Sequence, residues 1–342
     1  MALSAIAQRR VLQFKRNRRA YVSLWLFLIF FFVSLGAEVI ANDKPLAVHY
    51  DGHWYFPVAK SYPETAFGGE FETEADYRDA FVAKLITDKG WMIWPVIHYS
   101  YQTINSDTTE HFPAPPSREN WLGTDGQGRD VVARLIYGFR LSVLFGLTLT
   151  ILGSFVGILV GAMEGYLGGL FDLLSQRFIE IWSGMPVFFL LIIMSTVITP
   201  GFFTLLGLML LFSWMTLVDV VRAEFLKARN LDYIRAARAL GLSTPVIMFK
   251  HALPNAMVAT LSMMPFVMTG SISTLTGLDF LGLGMPPGSP SLGELLSQGK
   301  NNLQAPWLGI TAFMSLAVTL SLLTFIGEGV RDAFDPRKIF RE

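Results

Sequence analysis

Few residues in this chain are equipped for covalent chemistry. Cysteine is absent from all 342 residues, which removes thiol catalysis, zinc–thiolate sites and disulfides together. Four of the five histidines (His49, His53, His98 and His111) lie between Ala41 and Arg140, and each reads as a surface or satisfied core histidine rather than a ligand. The nearest approach to a phosphate loop runs from Gly293 through Gly299 and Lys300 to Asn301. It is one residue too long, and Asn stands where Ser or Thr would hold magnesium. The Gly-rich stretch Trp121-Leu122-Gly123-Thr124-Asp125-Gly126-Gln127-Gly128-Arg129-Asp130 lacks the spaced carboxylates of a calcium loop. It reads as a turn into a short amphipathic helix, Val131 to Tyr137. No catalytic residue and no metal site is expected.

The elements that carry these residues are mostly apolar. The chain is 52% hydrophobic and 16% charged, against about 25% charge in an ordinary soluble domain. Ala20 to Ala37, Leu141 to Met163, Ile181 to Val218, Ala252 to Leu278 and Asn301 to Gly327 contain no Asp, Glu, Lys, Arg or His. Crossing about 30 Å of hydrocarbon takes roughly 20 apolar residues. The third stretch is long enough for two helices, and Pro200-Gly201 marks a hairpin between them. Six transmembrane helices and an all-α membrane protein follow. The first apolar run is longer than the core of a signal peptide, so an uncleaved anchor is expected rather than cleavage after Ala41.

Six spans put both termini on one side. With the N-terminus inside, 17 of the 27 Lys and Arg fall in short cytoplasmic segments, as the positive-inside rule requires. The expected layout is a cytoplasmic N-terminus (1–19), a first span (20–40), a periplasmic insertion (41–119), a core (120–337) with a cytoplasmic loop at 230–255, and a cytoplasmic tail (338–342). In the insertion, Trp54, Tyr55, Trp91 and Trp94 are expected to fill a minor core or sit at the membrane interface. Lys+Arg and Asp+Glu balance at 27 each, which leaves no charge signature for nucleic acid. Glu38, Glu164, Asp219 and Glu328 sit at span edges, so proton or ion coupling lacks a mid-membrane group. Gly153, Gly157, Gly161 and Gly165 recur every fourth residue and form a stripe suited to close helix packing.

The most informative segment is Asp232 to Asn255. Ala236, Ala237 and Ala239 favour a helix, and Gly241 is suited to ending it. Thr244 then Pro245 read as an N-cap followed by a favoured N1 proline. Val246, Ile247, Met248 and Phe249 are four consecutive apolar residues in a loop expected to face water, and Pro254 closes the unit. Two readings of that patch stand side by side: a docking knob for a protein partner, or a helix lying on lipid headgroups between Arg238 and Lys250.

The spacing of Arg235-Ala236-Ala237, Gly241 and Leu253-Pro254 resembles the EAA loop of ABC-importer permeases. Arg235 and His251 depart from the general consensus as the dipeptide/oligopeptide branch does. Trp121 to Asp125 with Gly128 to Asp130, Asp279 to Gly284, Gly329 to Ala333 and Asp335 to Arg337 are similar to the same branch. The resemblance implies a MetI-like fold in a multi-pass protein of the bacterial inner membrane, surrounded by lipid. It implies a coupling helix seated in an ATPase subunit that binds ATP and magnesium, with no cofactor in this chain. A second, homologous permease and a periplasmic peptide-binding protein are the other implied partners. The long first periplasmic segment (Asn42 to Leu46, Trp54 to Pro57, Phe67 to Gly69) is similar to a subgroup whose cargo includes peptides and the peptide-nucleotide microcin C. Rival classes are a secondary carrier, disfavoured by the missing midplane charges, and a membrane-anchored receptor.

Overall fold

The computed structural model describes residues 5–335 apart from 107, 109 and 200. Pro200 of the expected hairpin, and Pro336, Arg337 and the 338–342 tail, lie outside the described residues. Helix α1 (Ala5–Arg16) is separated from α2 (Arg18–Leu35) by Asn17 alone, whose side chain caps α2 by accepting from the Ala20 N–H at 3.3 Å. Gly36 ends α2, so the first crossing stops short of residue 40, and a single turn, α3 (Ala37–Ile40), follows.

The insertion is not helical throughout. Strands β1 (Ala47–Tyr50) and β2 (His53–Tyr55), helix α4 (Ala80–Lys89) and strand β3 (Gly90–Ile93) build an antiparallel sheet in the order β2-β1-β3. Side chains alternate across a strand, so Val48 and Tyr50 point into a core with Phe67, Tyr77, Val82 and Ile86. Tyr55 and Trp94 pack against that core, whereas Trp54 and Trp91 flank His49 on the opposite, exposed face.

Val131 to Tyr137 is not a separate amphipathic helix. It is the first two turns of α5 (Val131–Leu167), a continuous 37-residue rod about 55 Å long at 1.5 Å per residue. Asp130 caps it, accepting from Ala133 N–H at 2.7 Å. Gly168, at φ +65°, ends it and admits α6 (Gly169–Ser183).

The next apolar run is more broken than a simple hairpin. After α6 the chain turns through Gly184 and Pro186 into α7 (Val187–Val197), whose 11 residues cover only about 17 Å. Helices α6 and α7 are bent by 66°. A crossing in this region requires both helices together, because Pro186 cannot continue the hydrogen-bond ladder. Helices α8 (Phe202–Ser213) and α9 (Met215–Ala228) run on as one span. Helix α10 (Asp232–Ala239), the short α11 (Thr244–Val246), α12 (Leu253–Phe280), α13 (Leu292–Asn301) and α14 (Pro306–Phe334) complete the chain. Five helical runs among the described residues are long and apolar enough to cross a membrane, or six if the bent pair α6–α7 is one broken span.

The glycine stripe of α5 lies against α9. A Cβ on Gly161 would stand 2.6 Å from the Val218 carbonyl oxygen, and one on Gly165 would stand 2.5 Å from that of Arg222. Gly157 meets the Trp214 carbonyl and Gly153 the Ser213 hydroxyl in the same way. Only hydrogen at these positions lets two backbones come this close, which is how helices gain packing energy in lipid.

Away from the glycine seam, the N-terminal end of α5 carries a buried charge network. Arg134 is fully buried, donating to Glu294 at 2.6 Å and to the Ser289 carbonyl at 2.8 Å. Arg129 joins Asp125 at 2.6 Å and Glu294 at 2.9 Å. Burial pushes the Asp130 carboxyl above its usual range, against the hydrogen bond donated by Asn120. Residues 293–301, the near-match to a phosphate loop, are helix α13, and Glu294 and Gln298 on it fasten the 121–130 turn.

Candidate functional site

The loop between α9 and α12 is built on its own small core. Ala162 and Tyr166 from the end of α5, Val221, Phe225 and Ala228 from α9, and Ile234 and Ala237 from α10 pack with Ile247, Met248, Ala252 and Ala256. Helix α10 therefore rests by one face on two spans. Its opposite face, with Arg235 and Ala236, is exposed.

Gly241 terminates α10 with φ +76°. The Gly241 N–H donates to the Arg238 carbonyl at 3.0 Å and the Leu242 N–H to the Ala237 carbonyl at 3.2 Å. That pair of bonds is a Schellman motif, which satisfies carbonyls left open at the helix end. Arg238 is anchored as well: its guanidinium lies over the Tyr166 ring at 5.5 Å and donates to the Tyr166 hydroxyl at 3.3 Å. Asn255 donates to the Tyr233 hydroxyl at 2.8 Å, tying the start of α12 back to α10.

Three details differ from the expected loop. Ser243, not Thr244, is the N-cap of α11, so Pro245 falls one position further into the helix. Pro254 does not close the unit. From Thr244 the chain continues through a π-helical turn, Ile247–Ala252, into α12, and the 37 residues to Phe280 form one helical run. Pro254 has no N–H to offer the Lys250 carbonyl, and it stands at the start of α12, where that loss is tolerated.

The four-residue apolar patch is likewise split. Ile247 is 1% and Met248 5% exposed, inside the core, whereas Val246 and Phe249 are 39% and 47% exposed. Helical geometry puts residues 246 and 249 on one face and turns their neighbours away. The exposed surface is completed by residues that sequence reasoning passed over: Leu240 and Leu242, on either side of Gly241, are 81% and 40% exposed. Two leucines flanking a left-handed glycine were the available signal, since the turn swings both away from the core. Leu253 packs partly against that core, and Pro254 is exposed.

Among the described residues no group of His, Cys, Asp and Glu is arranged to hold a metal ion. What the loop offers is a rigid apolar projection with Arg235, Arg238 and Lys250 nearby, joined without a break to a helix long enough to span a bilayer.

Two family models match the chain: "Binding-protein-dependent transport system inner membrane component" over residues 153–340, and "N-terminal TM domain of oligopeptide transport permease C" over residues 7–57. The chain is 60% identical over 336 residues, 98% of each protein, to the Escherichia coli inner membrane ABC transporter permease protein YejE. It is 58% identical to the Agrobacterium fabrum peptidoglycan transport system permease protein YejE, covering 99% of this chain and 95% of that one. Among solved structures, a chain of the inward-facing MetNI methionine ABC transporter superposes with a TM-score of 0.50 at 18% identity. The superposition covers 59% of this chain and 96% of that one, which establishes a shared fold for the membrane core.

Proposed function

The chain belongs to the family of binding-protein-dependent transport system inner membrane components, and from that premise we propose that it is one permease subunit of an ATP-driven peptide importer. A second, homologous permease completes the pathway, a periplasmic binding protein delivers the peptide, and ATPase subunits grip the 230–255 loop. No step of bond chemistry falls to this chain; ATP and magnesium stay on the ATPase. The observation that carries the reading is the loop itself. Leu240, Leu242, Val246 and Phe249 are presented to a partner on a base held by Ile234, Ala237, Ile247 and Met248. Closure of the ATPases on ATP would draw the loop inward and rock α12 and α9 as a packed unit.

Both termini are placed in the cytoplasm, on the side of the basic short segments. The cargo is peptide, with the peptide part of cell-wall fragments and peptide-nucleotide conjugates of the microcin C kind as narrower candidates.

The test is a detergent pull-down from cells that make the whole system, paired with uptake of labelled peptide. A second permease and an ATPase are expected to co-purify, and uptake is expected to require this chain. Recovery of the chain alone, with uptake surviving ATP depletion, would instead indicate a gradient-driven carrier. Orientation is read separately. The chain has no native cysteine, so single cysteines placed at Arg9 or Leu240 should label only from the cytoplasmic side.

A further inference from the structure

The joint between α1 and α2 and the last turns of α14 enclose a cleft of about 430 Å³, lined by Arg16, Asn17, Arg18, Arg19, Phe325 and Glu328. We infer that this cleft holds the phosphate of an acidic phospholipid headgroup. Three guanidiniums and one carboxylate line it; Arg16 has a partner of its own, so Arg18 and Arg19 set against Glu328 leave one positive charge in excess. Such an excess in an open cleft attracts an anion. Guanidinium forks match the oxygens of a phosphate in pairs, and Arg is the residue suited to that fit.

The frame of the cleft is rigid. Asn17 is committed to capping α2, and Ala20 packs into the notch left by Gly329 on α14. Phe14 reaches the same glycine, and the Arg10 guanidinium lies over Phe334 at 4.6 Å, pinning α1 across the end of α14. The arginines are therefore presented by a fixed joint rather than by a loose tail.

Location decides between a lipid and a free phosphate. One wall is Phe325, 39% exposed, and the helices leading away from the cleft carry Val22, Trp25 and Leu26 exposed on α2. A phosphate bound here thus sits where the apolar belt of two spanning helices begins, with a surface for acyl chains directly below. A soluble anion would use the guanidiniums but leave that apolar wall uncovered. Basic clefts between spans at the headgroup level are suited to acidic lipids. Placing the site in the inner leaflet rests on the orientation proposed above. Binding does not rest on it, because lipid added to the detergent-solubilised chain reaches both ends of the spans.

The experiment uses the full-length chain in detergent, titrated with phosphatidylglycerol and with phosphatidylcholine of the same acyl chains. Retained lipid is counted by native mass spectrometry. Arg18→Gln with Arg19→Gln removes two charges from the cleft, and Arg9→Gln with Lys15→Gln removes two from α1 outside it. Saturable phosphatidylglycerol binding is expected to weaken at least about tenfold in the first variant and to change less than about twofold in the second. Arg18→Lys with Arg19→Lys keeps the charge and loses the forks, and is expected to bind with intermediate strength even if the glutamine variant inserts poorly. Equal losses in the two glutamine variants would reduce the effect to diffuse attraction and overturn the site. Displacement by millimolar inorganic phosphate, or equal binding of phosphatidylcholine, would overturn the lipid as its occupant. If binding fails while cysteine labelling still finds the N-terminus inside, this inference falls and the orientation stands.

Discussion

Replacing Gly241 separates backbone strain from lost contact. Its φ is +76°, and a Cβ built on it meets nothing within 4 Å. A side chain there collides with no neighbour, so the penalty is confined to the residue's own backbone. For an L-residue other than glycine the left-handed region costs about 1–2 kcal/mol, and Asn visits it more readily than Ala. The native turn also holds the two hydrogen bonds of the Schellman motif. A partner that recognises only this turn should lose affinity by at most the whole penalty, about 5- to 30-fold. The order of binding is expected to be glycine, then Asn, then Ala, with Val weakest. The assay is titration of the ATPase subunit onto detergent-solubilised permease, with circular dichroism to confirm intact helices. Peptide uptake should follow the same order, and Gly241→Asp, which adds a negative charge between the exposed Leu240 and Leu242, should uncouple transport beyond the backbone penalty while insertion persists. Native affinity in Gly241→Ala, or Asn binding no better than Ala, would refute the reasoning.

Four further outcomes follow from the packing, one of them with its control. Phe249→Ala removes a ring that is 47% exposed and is expected to reduce ATPase co-purification without lowering the melting temperature. Ile247→Ala empties a site that is 1% exposed and should cost about 2–4 kcal/mol, seen as a lower melting temperature in detergent. Gly161→Ala brings a carbon to 2.6 Å from the Val218 oxygen and forces α5 and α9 apart, costing about 1–3 kcal/mol. Gly207→Ala, where nothing lies within 4 Å, should leave melting unchanged. Arg134→Met leaves Glu294 and Asp125 short of one buried cation and should cost about 3 kcal/mol, read as a lower melting temperature in detergent.

Much of the architecture is written in local runs. Uncharged stretches of 18 residues or more define crossings, because hydrocarbon tolerates no unpaired polar group and imposes its own thickness. The four-residue spacing of Gly153 to Gly165 placed the glycines on one side of a helix before any neighbour was known. Gly241 was legible as a helix end from its residue type alone. Those features depend on a single segment and its period.

Tertiary structure decided what depends on a second segment. Val246 to Phe249 read as one apolar patch, yet only α9 and α10 could determine that Ile247 and Met248 turn inward while Leu240 and Leu242 take their place outside. Pro254 looked like a terminus, because a proline is a stop in isolation and a tolerated first-turn residue when a helix runs through it. Arg134 lies three residues into an apolar rod, and its partners Asp125 and Glu294 are far from each other in the chain. Composition and period determine which segments enter the membrane. Burial and charge pairing are sums over neighbours distant in sequence, and those neighbours exist only once the helices have packed.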